Sequence, residues 1–206
     1  MSQVFGFNKR QRIYLPFKRG CDIVFSLLLI LLLSPLFLVL SICCLIDTKA
    51  FPIFRQRRIG KHNKTFLILK FRTMSKKTPS DVPTHQLENP EVYITKFGRL
   101  LRKSSLDELP QLFNIFIGQM SFIGPRPALW NQEDLIEGRN QKGVDSLRPG
   151  LTGHAQIHGR DAVSIEEKVE LDAYYLHHFG LWMDIKIIFG SIAAVIKQKD
   201  IIEGEP

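Results

Sequence analysis

The sequence predicts an α+β chain, mainly helical, that enters a membrane from one side without crossing it. Three observations carry this expectation. An apolar run, IVFSLLLILLLSPLFLVLSICCLI at 23–46, is broken at its centre by Ser34-Pro35. Both flanks of that run are basic. One short hairpin pattern stands among otherwise helical periodicities.

The apolar run comes first. As a straight helix it would reach about 36 Å, enough to cross a hydrocarbon core of roughly 30 Å. Pro35 removes a backbone donor and its ring clashes with the preceding turn, so a sharp bend is expected there. The Ser34 hydroxyl can serve a carbonyl freed by the proline, which matters in lipid. Lys9, Arg10, Arg12, Lys18 and Arg19 precede the run; Lys49, Arg55, Arg57, Arg58, Lys61 and Lys64 follow it. Basic flanks stay on the cytoplasmic side, so a spanning helix would have to export one of them. The expectation is a re-entrant helical hairpin of two arms, roughly 17 Å each. A proline-kinked single span is the alternative. A cleaved signal peptide fits poorly, because the apolar core is too long and no small-residue cleavage site follows.

Composition agrees with a folded chain. Of 206 residues, 45% are apolar and 23% charged, enough for one domain with a real core. The net charge of +8 is uneven: residues 1–77 hold 15 of the 28 Lys/Arg but only Asp22 and Asp47 among acids. A basic half beside an apolar run suits anionic lipid headgroups and anionic substrates. A nucleic-acid role is weaker, since no nucleic-acid fold motif accompanies the charge. Cys21, Cys43 and Cys44 lie in or beside the apolar run and imply no disulfide framework. The chain divides into a basic N-terminus with the re-entrant element, 1–48, and a domain on the cytosolic face, 49–206.

PIFRQRRIG (52–60) and TFLILKFRTM (65–74) flank a polar turn and read as a small β-hairpin, with Lys70 and Arg72 on one strand face. Residues 75–92 hold three prolines and read as a loop. The stretch 94–124 reads as helical in two pieces, broken near Ser104-Ser105. GPRP (124–127) is a rigid turn, 128–146 leans helical, and 148–161 is rich in glycine and turns. Residues 166–178 and 181–199 read as helices. In the last of these, Trp182, Ile185, Phe189, Ile192 and Ile196 form a stripe that suits either a core or an interfacial amphipathic helix.

Asp107-Glu108, inside SSLDELPQLFN, is the sharpest chemical feature. One reading is structural: Asp107 as a helix N-cap, or Ser105 with Glu108 as a capping box. The functional reading places a carboxylate at a helix start beside Arg102 and Lys103, kept ionised as a nucleophile or Mg²⁺ ligand. Arg126, Arg148 and Arg160 sit in turn-rich contexts suited to pyrophosphate. His154 and His158 are spaced H-x3-H without a cysteine pair, a poor zinc site. There is no P-loop, dinucleotide fingerprint or nucleophile elbow.

Taken in order, Lys18-Arg19…Asp22, Ser34-Pro35, FRQRRIG (54–60), KFRTM (70–74), LRKSSLDELPQLFN (101–114), MSFIGPRP (120–127), RPGLTG (148–153) and GRD (159–161) resemble the bacterial sugar transferase family. The likeness runs from about residue 17 to 199. It resembles the small monotopic polyprenol-phosphate phosphoglycosyl transferases that initiate capsule, O-antigen, exopolysaccharide and glycoprotein glycans. The chain looks like a minimal catalytic unit without the extra N-terminal spans of larger members.

The resemblance implies transfer of a sugar 1-phosphate from a UDP-sugar to undecaprenyl phosphate, with Mg²⁺ and release of UMP. Asp107 would form a covalent phosphosugar intermediate, while Glu108 would ligate Mg²⁺ or assist proton movement. Arg126, Arg148 and Arg160 would hold phosphate oxygens, with Lys70 and Arg102 as electrostatic supports. The implied location is the cytoplasmic face of the bacterial inner membrane, against inner-leaflet lipids, with a homodimer left open and no nucleic-acid partner. His154 and His158 depart from the family pattern, which keeps the sugar open. The competing readings are a catalytically inert membrane scaffold of a glycan assembly complex and a basic nucleic-acid module.

Overall fold

A computed structural model describes residues 6–76, 78, 92–159 and 163–197. Most of the predicted loop 75–92, and Arg160, lie outside the described residues.

Helix α1 (Lys9–Leu32) begins far upstream of the apolar run. Asn8 caps it, its side chain accepting from the Gln11 N–H while the Gln11 side chain accepts from the Asn8 N–H. α1 ends at Leu33, and α2 (Ser34–Thr48) starts at once with Pro35 in its first turn. The two axes diverge by 65°. Pro35 has no N–H for the carbonyl four residues back, Leu31; the Ser34 hydroxyl donates to that same carbonyl at 2.8 Å. Among the described residues no single helix is long and apolar enough to cross a membrane, but this bent pair passes by length and composition.

The expected hairpin is present. β1 (Ile53–Ile59) and β2 (Thr65–Phe71) pair antiparallel, with Lys70 opposite Phe54. His62 and Asn63 both take positive φ in the turn. The predicted break near 104–105 is also found: α3 (Lys96–Lys103) and α4 (Gln111–Ile117) are separated by a 3₁₀ turn at Leu106–Glu108. α5 (Glu133–Gln141), α6 (His154–Ile157), α7 (Ile165–His178) and α8 (Leu181–Lys197) complete the helices.

One pair of strands had no sequence signal. β3 (Ser121–Ile123) and β4 (Gly150–Thr152) pair in parallel, Ser121 opposite Gly150 and Ile123 opposite Thr152. Glycine permits their close approach: a Cβ on Gly150 or Gly153 would stand 2.1 Å from Gly124 backbone atoms.

α1 and α2 share their packing with the rest of the chain. Leu29, Ile30, Leu33 and Phe37 cover Phe66, Ile68, Leu112, Ile115 and Met120. Leu40 and Cys44 of α2 are buried with Phe71 and Leu101. A third cluster joins Ile123, Val144 and Leu147 to α7 and α8, with Phe7, Tyr14 and Leu15 of the N-terminal region against it. Asp184 of α8 lies beneath this cluster and accepts from the hydroxyls of Tyr14 (2.8 Å) and Tyr175 (2.7 Å) and from Lys18.

The α8 stripe is resolved against a core. Trp182 is 83% exposed, Phe189 and Ile192 are also exposed, and among its described side chains α8 buries Asp184 and Ile187. The spacing carried both faces, and only the packing partners told them apart; the side chain of Ile196 lies outside the described set.

Candidate active site

The acidic pair is held by a short, bent connection. Ser105 adopts a left-handed conformation (φ 56°), unusual for a residue with a side chain, and ends α3 abruptly. Leu106 and Leu109 then pack inward against the α2, α3 and β2 cluster. These apolar anchors set the orientation of the two acids between them. Neither carboxylate caps a helix: the 3₁₀ turn and α4 have no side-chain cap hydrogen bond. The structural reading of the pair therefore falls.

Cations take the place of capping contacts. Lys70 Nζ lies 2.8 Å from Glu108 Oε1 and 3.9 Å from Asp107 Oδ2. Arg126 Nη2 reaches the same Glu108 oxygen at 3.2 Å. The two acids respond differently. Burial opposes ionisation of Glu108, but Lys70 and Arg126 overcome it and hold its carboxyl well below the usual carboxylate range. At Asp107 burial dominates and Glu108 adds repulsion; with Lys70, Arg102 and Arg126 opposing, its carboxyl still rises above its ordinary value. Lys70, Arg102 and Arg126 favour an ionised Asp107 without outweighing its burial and the Glu108 charge, whereas at Glu108 Lys70 and Arg126 do outweigh burial.

Positioning residues come from distant parts of the chain. The Asn114 side-chain amide of α4 imitates a neighbouring strand, accepting from the Leu69 N–H at 3.0 Å and donating to the Leu67 carbonyl at 2.8 Å. This clamp sets α4 against β2, so that Lys70 faces the acids. Arg139 of α5 donates to Asp172 at 2.6 and 2.9 Å and to the Arg126 carbonyl at 2.9 Å. Arg58 Nη1 donates to the Pro127 carbonyl at 3.0 Å. The GPRP turn is thus tied at successive residues. Sequence reasoning missed Asn114, Arg139 and Asp172, whose partners lie tens of residues away and leave no local pattern.

Of the predicted site residues, Asp107, Glu108, Lys70 and Arg126 come together. Arg102 lies near enough to favour ionisation of Asp107, while its guanidinium bonds Thr73 Oγ1 (2.9 Å) and Met74 Sδ (3.0 Å). Arg148 is elsewhere. Its Nε donates to the Gly118 carbonyl at 3.0 Å, at the opposite end of α4 from the acids. Arg72, on the other predicted cationic position, bonds the Phe51 carbonyl. Ser34 and Pro35 form the α1–α2 bend described above.

His154 and His158 meet ring to ring at 4.2 Å, and His154 stacks on Tyr174 at 5.1 Å. Burial, with His158, Lys186 and His178 nearby, pushes His154 down to about 4. Among the described residues no group of three or more His, Cys, Asp or Glu is arranged to hold a metal. A Mg²⁺ ion bound through substrate phosphates needs only one or two protein carboxylates, so the Asp107–Glu108 pair remains a suitable donor set.

Comparison with known proteins identifies the family of the chain. Residues 13–198 match the family model for bacterial sugar transferases. The chain is 39% identical over 185 residues to a UDP-glucose:undecaprenyl-phosphate glucose-1-phosphate transferase of Klebsiella pneumoniae, covering 85% of this chain and 39% of that protein. It is 37% identical over 192 residues to the exopolysaccharide production protein ExoY of Sinorhizobium fredii, covering 86% and 84%. A UDP-N-acetylgalactosamine-undecaprenyl-phosphate N-acetylgalactosaminephosphotransferase of Aeromonas hydrophila is 35% identical over 189 residues, covering 89% and 44%. The chain therefore spans less than half of the Klebsiella and Aeromonas proteins and most of ExoY. The match takes in both arms of the bent helix pair, the acidic turn and the GPRP segment, and this chain belongs to the bacterial sugar transferase family.

Proposed function

We propose that this chain transfers a sugar 1-phosphate from a UDP-sugar to undecaprenyl phosphate and releases UMP, in the first membrane step of glycan assembly. The observation that carries the reading is the buried Asp107 beside an ionised Glu108 held by Lys70 and Arg126. The family membership and the names of the relatives support the same chemistry.

In this reading an Asp107 oxygen attacks the sugar-bearing phosphorus. A P–O bond forms to Asp107, the P–O bond to the nucleotide breaks, and UMP leaves with the bridging oxygen. A phosphate oxygen of undecaprenyl phosphate then attacks that phosphorus, and the bond to Asp107 breaks to restore the carboxylate. Arg126 and Lys70 offset charge on the diphosphate as it approaches the acids, with Arg102 as a more distant support. Arg160 is proposed to hold phosphate oxygens in the same role. Asp107 and Glu108 would hold Mg²⁺, which would neutralise charge where phosphate meets carboxylate. Arg148, at the other end of α4, would act on phosphate there and not at the acids.

The bent pair α1–α2 is read as re-entrant in the cytoplasmic leaflet of the inner membrane, with Leu28, Leu31, Leu32, Leu38 and Ile46 exposed toward lipid. The exposed face of α8 would rest at the interface. A polyprenol chain leaves lipid at a cost of about 0.8 kcal/mol per CH₂, so the acids must work at the headgroup plane.

The test is UMP release by purified protein in detergent, with Mg²⁺ and undecaprenyl phosphate, across a panel of UDP-sugars. Release with one sugar supports the reading and names the donor. Absence of release across a full panel by folded protein would favour the inert scaffold.

A further inference from the structure

A second cluster of cations surrounds a different space from the acidic pair. A small, partly open cleft is bounded by Lys18, Arg19 and Asp22 of α1, Lys61 of the hairpin turn and Arg148 before β4. Lys18 is paired with Asp184. The Asp22 Oδ1 accepts from Ser121 Oγ and the Phe122 N–H, both at 3.1 Å. Arg19 donates to the carbonyls of Ile115 and Phe116 at 2.7 Å each. Arg148 uses only Nε, on Gly118, leaving its two terminal nitrogens without a hydrogen bond among the described residues. Lys61 has no side-chain hydrogen bond or ion pair among them. Arg148 depresses the pKa of both Arg19 and Lys61, in each case after burial, so the three cations repel one another across the cleft. Among the lining residues Asp22 is the one carboxylate, and the cations it interacts with are Lys18 and Arg19.

Two facts place this cleft apart from the acids and beside the apolar helix. Thr65 to Lys70 spans five strand steps, so the hairpin turn and the Lys70 site are about 17 Å apart. The α1 residues of the cleft end at Asp22, immediately before the apolar run starts at Ile23.

We propose that the cleft of Arg19, Lys61 and Arg148 binds the phosphate of an anionic membrane phospholipid headgroup, as a site separate from the one around Asp107. This rests on the reading of α1–α2 as membrane-inserted. An oxyanion there relieves the mutual repulsion of the three cations and takes the free N–H groups of Arg148 and the Lys61 ammonium. Lys61 is the clean point of attack, because its side chain has no structural bond.

The experiment measures binding of short-chain phosphatidylglycerol, below micelle formation, to the full chain in non-ionic detergent. Phosphatidylcholine of the same chain length and inorganic phosphate are the comparison ligands. Wild type should bind phosphatidylglycerol, and Lys61→Gln should weaken it about tenfold, the worth of one charge-assisted hydrogen bond. Lys61→Arg should restore it, and both variants should keep the unfolding midpoint of wild type. Inorganic phosphate binding as tightly as phosphatidylglycerol would overturn the lipid assignment. No binding by wild type, or equal binding by Lys61→Gln, would overturn the site. UMP release by Lys61→Gln in detergent should match wild type. If wild type binds the lipid but releases no UMP, the transferase reading fails while this site stands.

Discussion

The two ends of α4 use the same kind of side chain for opposite purposes. At its start, Lys70 and Arg126 face carboxylates that are buried or nearly so, and the charges stay close without cancelling hydrogen bond for hydrogen bond. At its end, Arg19 and Arg148 donate to the main-chain carbonyls of Ile115, Phe116 and Gly118, where a helix C-terminus runs short of N–H partners. The first end holds an unresolved electrostatic tension that chemistry can use. The second end is a fastening, from which the terminal nitrogens of Arg148 are left over for the proposed phosphate. An arginine in a turn-rich context is compatible with both, and only its partner decides.

The largest effect expected from breaking this contrast is at Asp107. Asp107→Asn keeps the shape and removes the nucleophile, so UMP release should fall by about three orders of magnitude or more. The unfolding midpoint should hold or rise, because burial disfavours the charge that is removed. Activity retained within tenfold would end the nucleophile assignment.

Next is the tether behind Arg126. Arg139→Leu leaves Asp172 buried without its partner, which costs about 3–5 kcal/mol and frees the GPRP turn. Denaturant unfolding should register the loss, and a variant as stable as wild type would show that the pair contributes nothing. Arg19→Ala attacks the fastened end: the Phe116 carbonyl loses its Arg19 donor while the Ile115 carbonyl keeps the Gly118 N–H, for about 1 kcal/mol after allowing for solvent. An Arg19→Ala loss of activity without loss of stability would contradict a fastening role.

The smallest effect separates the two acids. Glu108 has a carboxyl depressed below its ordinary 4.5, so its contribution to stability is present above that pH and is lost as pH falls below it. Asp107 is raised above its ordinary 3.8, so its charge is a penalty that appears above that pH and vanishes in acid. Glu108→Gln should therefore be less stable than wild type at pH 7, and Asp107→Asn equally or more stable. Both differences should shrink below about pH 4. Thermal unfolding of the three proteins at several pH values checks this, and parallel curves would refute the opposite signs.

Local chemistry made a good part of this legible. Ser34-Pro35 is a break that two adjacent residues specify, and the Ser34–Leu31 contact is the consequence expected of them. The β1–β2 hairpin follows from alternation around a polar turn. The acidic pair stands out in the sequence, and the family resemblance adds Lys70 and Arg126 to its site, while their contacts with the acids come from the fold. β3 and β4 were not legible, since three residues are too few for a period and their pairing is parallel and distant. Asn114, Arg139 and Asp172 act across long stretches of chain, which spacing cannot encode. Arg148 was grouped with the site by its context, and its partner places it elsewhere. The exposed face of α8 was undecided for the reason that an apolar stripe suits lipid and core equally.

The single helix α1 carries a further consequence. Its first half is pinned in the folded body by Gln11, whose amide donates to the Leu176 carbonyl, and by Tyr14 and Lys18 on Asp184. Its second half is the apolar arm, which continues the same helix; Pro16, the proline inside α1, lies within the pinned half. Under the re-entrant reading, α1 therefore works as a depth gauge: the height of Asp107 above the bilayer is set by residue count along one rod. One residue inserted after Asp22 would turn the arm by about 100° and break its packing on α4. Seven would nearly restore the phase yet raise the acids by about 10 Å, beyond reach of a phosphate that its own hydrocarbon tail keeps in the membrane.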